Sequence, residues 1–278
     1  MINAKTERII KSSVSFAFKI ILGLVFILPI IICVLFSIQP EAEISAFPPT
    51  WFTRSPTLDH YKWVFNNVAV FSYMKNSFIV CFITIACQVI FSSFAAYAFA
   101  FFKFPLKNLF FTLIITTMMI PADIVIITNF VQIQSWGLSD TYLGLVFPSL
   151  ISGTAIFLMR QYYMTLSKEF KEAATLDGCG DMGFLFKIAM PLSIPTVASL
   201  SIYLFINIYN QYFWPLLVTN KDHMRTIQIG MAMLVHSERL EFGPLLAGAA
   251  TCILPAAIVF IFGQEYIVKG MTAGALKG

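Results

Sequence analysis

The sequence predicts an all-α membrane protein of six transmembrane helices with both termini on the cytoplasmic side. Three observations lead there. The 278 residues are 58% hydrophobic and only 12% charged, with a mean hydropathy of +0.81, so polar side chains are too few to cover a water-soluble globule. Six predominantly apolar runs of 17 to 26 residues recur along the chain, each near the roughly 20 residues that a helix needs to cross a hydrocarbon core of about 30 Å. The basic residues divide unevenly between the two sides that those runs define. Together these features describe a single transmembrane domain, residues 1–278.

The first span is 20–38, IILGLVFILPIIICVLFSI. Lys5, Arg8, Lys11 and Lys19 precede it, as in a signal peptide, but its apolar part exceeds the about 7 to 15 residues of a signal core and no small-x-small cleavage site follows. A retained helix is expected. In the outer segment that follows, PTLDHYKWVF sets Leu58, Tyr61, Trp63 and Phe65 on a short amphipathic helix at the interface. Spans two and three, 77–102 and 109–131, are joined inside by KFPLKN, a tight turn at Pro105. The outer link QIQSWGLSDTY leads to span four, 143–159, and the inner segment 160–191 leads to span five, 195–218. A second large outer segment carries TIQIGMAMLV, too short for a seventh span and read as a re-entrant or interfacial arm, before span six, 245–267.

With this topology the inner segments hold Lys5, Arg8, Lys11, Lys19, Lys103, Lys107, Arg160, Lys168, Lys171, Lys187, Lys269 and Lys277. The outer segments hold Arg54, Lys62, Lys75, Lys221, Arg225 and Arg239. Twelve against six follows the positive-inside rule, and the net charge of +4 requires no nucleic acid. Five of the six spans contain proline: Pro29, Pro121, Pro148, Pro195 with Pro215, and Pro255. Each removes a backbone donor and bends its helix, which lipid tolerates only where neighbouring helices or a water-filled cavity satisfy the freed carbonyls.

Several chemistries are disfavoured. Cys33, Cys81, Cys87, Cys179 and Cys252 show no metal-type spacing and read as small apolar fillers. GCGDMG, residues 178–183, fits G-x-G-x-x-G, but the helix-type KEFKEAATLD precedes it instead of a strand, and no acidic residue stands about 20 positions on. No G-x-x-x-x-G-K-[ST] loop is present, and His60, His223 and His236 form no catalytic or metal-binding set. The chain is therefore expected to be no enzyme, with no catalytic or metal site.

The inner segment instead reads as helix, turn, helix. Ser167 caps a helix through Lys168, Glu169, Phe170, Lys171, Glu172, Ala173, Ala174 and Leu176, and Gly178 and Gly180 supply the permissive backbone of a turn. A second helix carries Phe184, Leu185, Phe186 and Ile188 towards Pro191. Because Ala173 and Ala174 are small, another protein can approach closely, and the hairpin has the form of a docking knob.

The stretch EAATLDGCGDMGFLFKIAMP resembles the EAA motif of the transmembrane subunits of ATP-binding-cassette (ABC) importers, E-A-A, three residues, G, nine residues, I-x-L-P. Glu172, Ala173, Ala174, Gly178, Ile188 and Pro191 are in register, with Met190 in place of leucine at similar volume. The likeness extends over nearly the whole chain to the carbohydrate-uptake branch with its maltose-permease-G-like subunits. FPLKNLFF, RQYYMTL and NQYFWPLL are similar to the glycerol-3-phosphate permease subunits.

The resemblance implies a type I ABC importer permease fold in the bacterial cytoplasmic (inner) membrane. It implies a homologous second permease subunit, two ATP-binding subunits that bind the ATP and Mg, an extracytoplasmic solute-binding protein, and no cofactor in this chain. In that scheme Glu172 makes a polar contact with the ATPase, Ala173 and Ala174 the close approach, and Gly178, after Asp177, the turn, with Ile188 and Pro191 completing the motif. The tail GMTAGALKG resembles the family's C-terminus, where Gly270, Gly274 and Gly278 suit an extended path between the ATPases or a frayed end.

For the solute path, Asn207, Asn210 and Gln211 stand at i, i+3 and i+4 and are expected on one helical face, just before Tyr212, Trp214 and Pro215. Amides beside aromatic platforms suit a sugar or polyol, although amides also join helices and aromatics also form interfacial belts. Asp123 is the one acid well inside a span, either a pore-facing acceptor or a partner for Arg160 or another subunit. The solute is expected to be a sugar or a glycerol-3-phosphate-type compound. The alternative function is an ion-coupled secondary transporter using Asp123, which would require two related halves.

Overall fold

The computed structural model describes residues 4–48, 50–235 and 241–273, and every regular element among them is helical. In order these are α1 (Ala4–Ser37), α2 (Glu41–Ile44), α3 (Asp59–Asn67), α4 (Val70–Phe101), α5 (Lys107–Thr117), α6 (Ala122–Ser135), α7 (Tyr142–Val146) and α8 (Gly153–Tyr163). They continue with α9 (Lys168–Leu176), α10 (Asp181–Phe184), α11 (Met190–Leu192), α12 (Ile194–Tyr209), α13 (Phe213–Val218), α14 (Ile227–Val235) and α15 (Phe242–Ala273). By length and composition, three described helices can each cross a bilayer, Ser12–Ser37 within α1, α4, and Phe242–Tyr266 within α15. Two bent pairs reach that length together, Tyr142–Ser149 with Gly153–Tyr163 at 53° and Asp181–Leu192 with Ile194–Tyr209 at 73°.

The expected spans at 109–131, 143–159 and 195–218 are therefore not continuous helices. The first breaks over Met118–Pro121, where Pro121 precedes α6; the second passes through a 3-10 turn at Phe147–Ser149; the third stops at Tyr209 and restarts at Phe213. By contrast Pro29 and Pro255 lie within the uninterrupted α1 and α15. Proline interrupts these helices only where adjoining residues also leave the helical path.

The chain forms two compact units, one of residues up to 68 with Met231–Leu254, the other of Ala69–Gly230 with the residues from Pro255 onward. In the first, the Ser12–Ser37 stretch of α1 is predominantly apolar and mostly exposed, as suits a helix whose surroundings are lipid. At its end Ser37 Oγ pairs with Tyr61 Oη at 2.7 Å, and His60 Nε2 lies 2.8 Å from the Gln39 carbonyl. The buried face of α3 is thus His60 and Val64, while Leu58 and Phe65 are exposed. His60 gains a backbone acceptor that sequence spacing does not reveal, while Tyr61 and Trp63 are half-buried. Glu41 accepts from the Phe242 and Gly243 N–H groups at 3.0 and 2.9 Å, placing a carboxylate on the otherwise unsatisfied, electropositive start of α15.

The second unit is built around α4, which packs against α8, α12 and α7. Its buried stripe includes Cys81, Thr84, Ser92, Ser93 and Ala96, small or hydroxyl-bearing side chains that let helix backbones approach in a membrane. The N-terminal end of α4 holds a loop in place. Tyr73 donates to Asp222 at 2.6 Å, Asn76 donates to the His223 and Arg225 carbonyls at 2.8 and 2.9 Å, and Ser77 accepts from the Ile227 N–H at 2.9 Å. TIQIGMAMLV accordingly forms α14 from Ile227 onward, with Ile227 and Ile229 buried. Only glycine fits at 230, since a Cβ there would come within 2.1 Å of the Tyr73 ring.

Candidate functional site

Two places bring together the residues singled out above. The first is the hairpin at 167–191. Ser167 Oγ accepts from the Glu169 N–H at 3.2 Å and caps α9, which runs to Leu176. The C-terminus closes as a Schellman motif: the Cys179 N–H reaches the Ala174 carbonyl at 2.8 Å and the Gly178 N–H the Thr175 carbonyl at 3.0 Å. Gly178 takes the required left-handed conformation, φ +77°. Asp177 is the C-cap and is exposed.

α9 has two distinct faces. Ala174 is 6% exposed, and Lys171 turns the same way, whereas Glu172, Ala173 and Leu176 are exposed, Leu176 at 89%. An apolar side chain left that open has no partner within the described chain. Phe184 in the second arm is buried against Phe101 and Tyr97, with ring centroids 5.5 and 6.2 Å away. The chain then passes through a π turn, Leu185–Ala189, that contains Ile188 half-buried, and Pro191 follows, exposed in α11. Pro191 cannot donate, so the regular ladder is already weakened there. A cavity of about 880 Å³ lies alongside, lined by Phe101, Lys103, Tyr163, Lys168, Lys171 and Glu172 among others.

Three contacts in this hairpin join residues that no local sequence pattern pairs. Lys171 Nζ is 3.0 Å from Asp181 Oδ1, Tyr97 Oη donates to the same oxygen at 3.0 Å, and the ammonium lies 5.1 to 5.3 Å from the ring centroids of Tyr97, Phe101 and Phe102. The Lys171 hydrogen bond, aided by that of Tyr97, holds the Asp181 carboxyl below the usual carboxylate range. A Lys and an Asp ten positions apart carry no helical signal, since the pairing exists only because the turn folds α10 back onto α9.

The second place is a cavity of about 460 Å³ lined by Asp123, Asn129, Ser149, Asn207, Asn210, Gln211, Tyr212 and Trp214 with apolar neighbours. All six expected path residues are there, but not for the expected reason. α12 ends at Tyr209, so Asn210 and Gln211 do not share a helical face with Asn207; they lie in the break before α13. Pro148 and Ser149 from the second break and Asn210, Gln211 and Tyr212 from the third line this cavity, together with Asp123 in the helix that begins after the first. Asp123 lies in the first turn of α6, where a carboxylate favours the helix dipole. Arg160 stands elsewhere, with its guanidinium 3.9 Å from the Phe111 ring centroid.

Within the cavity wall Asn207 donates to the Tyr203 carbonyl at 2.7 Å, and Asn210 Oδ1 accepts from Gln228 at 3.1 Å. Trp214 is buried with Ile133 and Val218, and its N–H donates to the Leu145 carbonyl at 3.0 Å. It therefore contributes packing, and Tyr212 remains as the half-buried aromatic surface. Asn129 and Gln228 join the site without a motif; for Gln228 the signal is a lone polar residue on the otherwise apolar α14. At the C-terminus Gly270 lies within helical α15 and not on an extended path, while Gly274 and Gly278 lie outside the described residues.

Residues 88–273 match the family model described as binding-protein-dependent transport system inner membrane component. The chain is 32% identical over 269 residues to the arabinooligosaccharides transport system permease protein AraQ of Halalkalibacterium halodurans, covering 96% of this chain and 95% of that protein. It is 37% identical over 209 residues to the sn-glycerol-3-phosphate transport system permease protein UgpE of Yersinia enterocolitica, covering 74% of each. Among solved structures, a chain of a bacterial ABC transporter involved in the import of the acidic polysaccharide alginate superimposes with a TM-score of 0.83, covering 96% of this chain and 99% of that one at 23% identity. At that identity the likeness is one of fold.

Proposed function

Because the chain belongs to the family of binding-protein-dependent transport system inner membrane components, we propose that the helix-break cavity is its solute path and the 160–191 hairpin its seat for an ATP-binding subunit. The protein is a permease subunit of an ABC importer and not an enzyme. In this reading one permease domain, residues 1–278, crosses the bacterial cytoplasmic membrane six times, through α1, α4, α5 with α6, α7 with α8, α12 with α13, and α15, and both termini are cytoplasmic. Its partners are a homologous permease subunit, two ATP-binding subunits that hold ATP and Mg, and an extracytoplasmic solute-binding protein; this chain carries no cofactor.

At the hairpin Glu172 makes a polar contact with the ATPase, Ala173 faces it closely, and Ala174 and Gly178 with Asp177 shape the turn beneath. ATP closes the partner dimer, and the hairpin carries that motion into a two-state repacking of the spans. Importers of this family draw on ATP, so Asp123 serves the solute and not an ion gradient.

The observation that carries the solute path is the convergence of Asp123, Asn207, Asn210, Gln211 and Tyr212 on one cavity. Its lining offers amides, a hydroxyl, a phenol and one carboxylate, and no lysine or arginine. A phosphate charge about 6 Å from Asp123 would be opposed by about 3 kcal/mol at an effective dielectric of about 20. That favours an uncharged sugar or polyol; glycerol-3-phosphate is the second reading, supported by the 37% identity to its permease. Uptake of arabinotriose and of sn-glycerol-3-phosphate by the reconstituted importer distinguishes the two. Asp123→Ala, Asn210→Ala and Gln211→Ala should each lower uptake more than assembly, and unchanged transport kinetics in all three remove them from the path.

A further inference from the structure

We propose that Lys171 is a positioning residue that clamps the hairpin to the inner end of α4, so that a push on the exposed face of α9 moves the transmembrane body instead of bending the hairpin. This rests on the reading of the hairpin as the ATPase seat. The structure supplies both sides of the clamp. Lys171 pairs with Asp181 at 3.0 Å, tying the first arm to the second across the Gly178 turn. Tyr97, on α4, donates to the same Asp181 oxygen at 3.0 Å, and Tyr97, Phe101 and Phe102 present their rings to the ammonium. One cation thus joins α9, α10 and the last turn of α4.

The pair is partly shielded, with the Lys171 side chain 25% and the Asp181 side chain 50% exposed. An exposed ion pair alone contributes little. A cation held among three aromatic rings and a carboxylate is stronger and more directional. Lys171 is half-buried where Glu172, Ala173 and Leu176 are exposed; although it shares a cavity lining with Glu172 and Leu176, its ammonium is engaged by Asp181 and the rings on α4, so its effect is on stiffness behind the contact.

The test uses the assembled importer in liposomes, measuring ATP hydrolysed, arabinotriose or sn-glycerol-3-phosphate accumulated, whichever wild type transports, and amide exchange over residues 172–178. Lys171→Met should leave the ATP-binding subunits bound in normal ratio and hydrolysing ATP, lower the solute moved per ATP by about five- to tenfold, and speed exchange across the turn by a similar factor. Asp181→Asn should act in the same direction, and the double variant should be little worse than Lys171→Met, because both break one interaction. Lys171→Arg, which keeps the cation, should restore most of the coupling. A Lys171→Met importer with the wild-type ratio of solute to ATP overturns the proposal, as does a Lys171→Arg importer as defective as the Met variant. Should Lys171→Met fail to assemble, Tyr97→Phe keeps the ring and removes only the hydroxyl, and it must still lower the ratio about twofold; no change there also overturns the clamp. Ala173→Trp tests the underlying seat separately: it should block association of the ATP-binding subunits, and normal association and transport in that variant would refute the seat whatever Lys171 does.

Discussion

Gly178 offers the cleanest measure of how much backbone geometry the hairpin requires. Its φ is +77°, and a Cβ built there meets nothing within 4 Å, so substitution brings no collision and only conformational cost. For an ordinary L-residue held in the left-handed region that cost is about 1 to 2 kcal/mol, roughly 5- to 30-fold in the equilibrium between closed and open turn. Asn, which visits this region most readily, should lie at the low end, Ala in the middle and the β-branched Val beyond it. The expected order of solute moved per ATP is therefore Gly178 wild type, Gly178→Asn, Gly178→Ala, Gly178→Val. Exchange of the Cys179 amide, which bonds to the Ala174 carbonyl, should accelerate in the same order. Gly178→Asp should uncouple transport, while leaving the complex in the membrane, by adding charge at the partner-facing turn more than by strain. Equal coupling and equal exchange in the Ala and Val variants would refute the argument, because it would mean that the left-handed turn is not required when the motor engages.

Other perturbations follow from single contacts. Gly230→Ala should lower the thermal midpoint of the detergent-purified complex, with a cost of about 1 to 3 kcal/mol or more from overpacking, since its Cβ would overlap the Tyr73 ring; Tyr73→Ala should partly rescue it and Tyr73→Phe should not. Glu41→Ala removes the carboxylate that receives the Phe242 and Gly243 N–H groups and should destabilise the start of α15 by about 0.5 to 2 kcal/mol, seen as faster exchange of those amides. The Asp181 carboxyl is depressed below its ordinary 3.8 by Lys171, so its contribution is present above that value and lost only as pH falls through the lower folded one. Turn protection in wild type should thus be flat from neutral pH down to about 5 and fall only in stronger acid, while Asp181→Asn should already show the loosened state at neutral pH.

Local chemistry was legible in the sequence and long-range pairing was not. The cap at Ser167, the helix to Leu176 and the glycine turn all depend on residues within a few positions of one another, and each lies where expected. The i, i+3, i+4 spacing of Asn207, Asn210 and Gln211 predicts one helical face, but the helix stops at Tyr209. The residues still converge, because polar groups in an apolar segment gather wherever the backbone itself needs partners. Proline was an uneven guide, marking breaks at Pro121 and Pro148 yet lying inside α1 and α15 at Pro29 and Pro255. Asn76, Asp181 and Gln228 acquire their roles from partners 10 to 149 positions away, which no local pattern encodes.

Those distant pairings make α4 a strut with a functional contact at each end. Tyr97 and Tyr73 are 24 positions apart, about 36 Å along an unbroken helix at about 1.5 Å per residue. The C-terminal end holds the hairpin through Tyr97 and Asp181, and the N-terminal end holds the loop at 222–227 that leads into α14. From α14, Gln228 reaches Asn210 at the cavity. A motor stroke delivered to the hairpin therefore has a rigid route to the cavity wall, although a contiguous route is not yet coupling. The measurement is a double-mutant cycle between Lys171→Met and Gln228→Ala on solute moved per ATP. Sites this far apart and mechanically independent should combine additively to within about 0.3 to 0.5 kcal/mol. If α4 transmits the stroke, the second substitution costs less once the first has uncoupled the hairpin, and the interaction energy exceeds that margin. Strict additivity would assign transmission to α8 or α12, the other helices packed on α4.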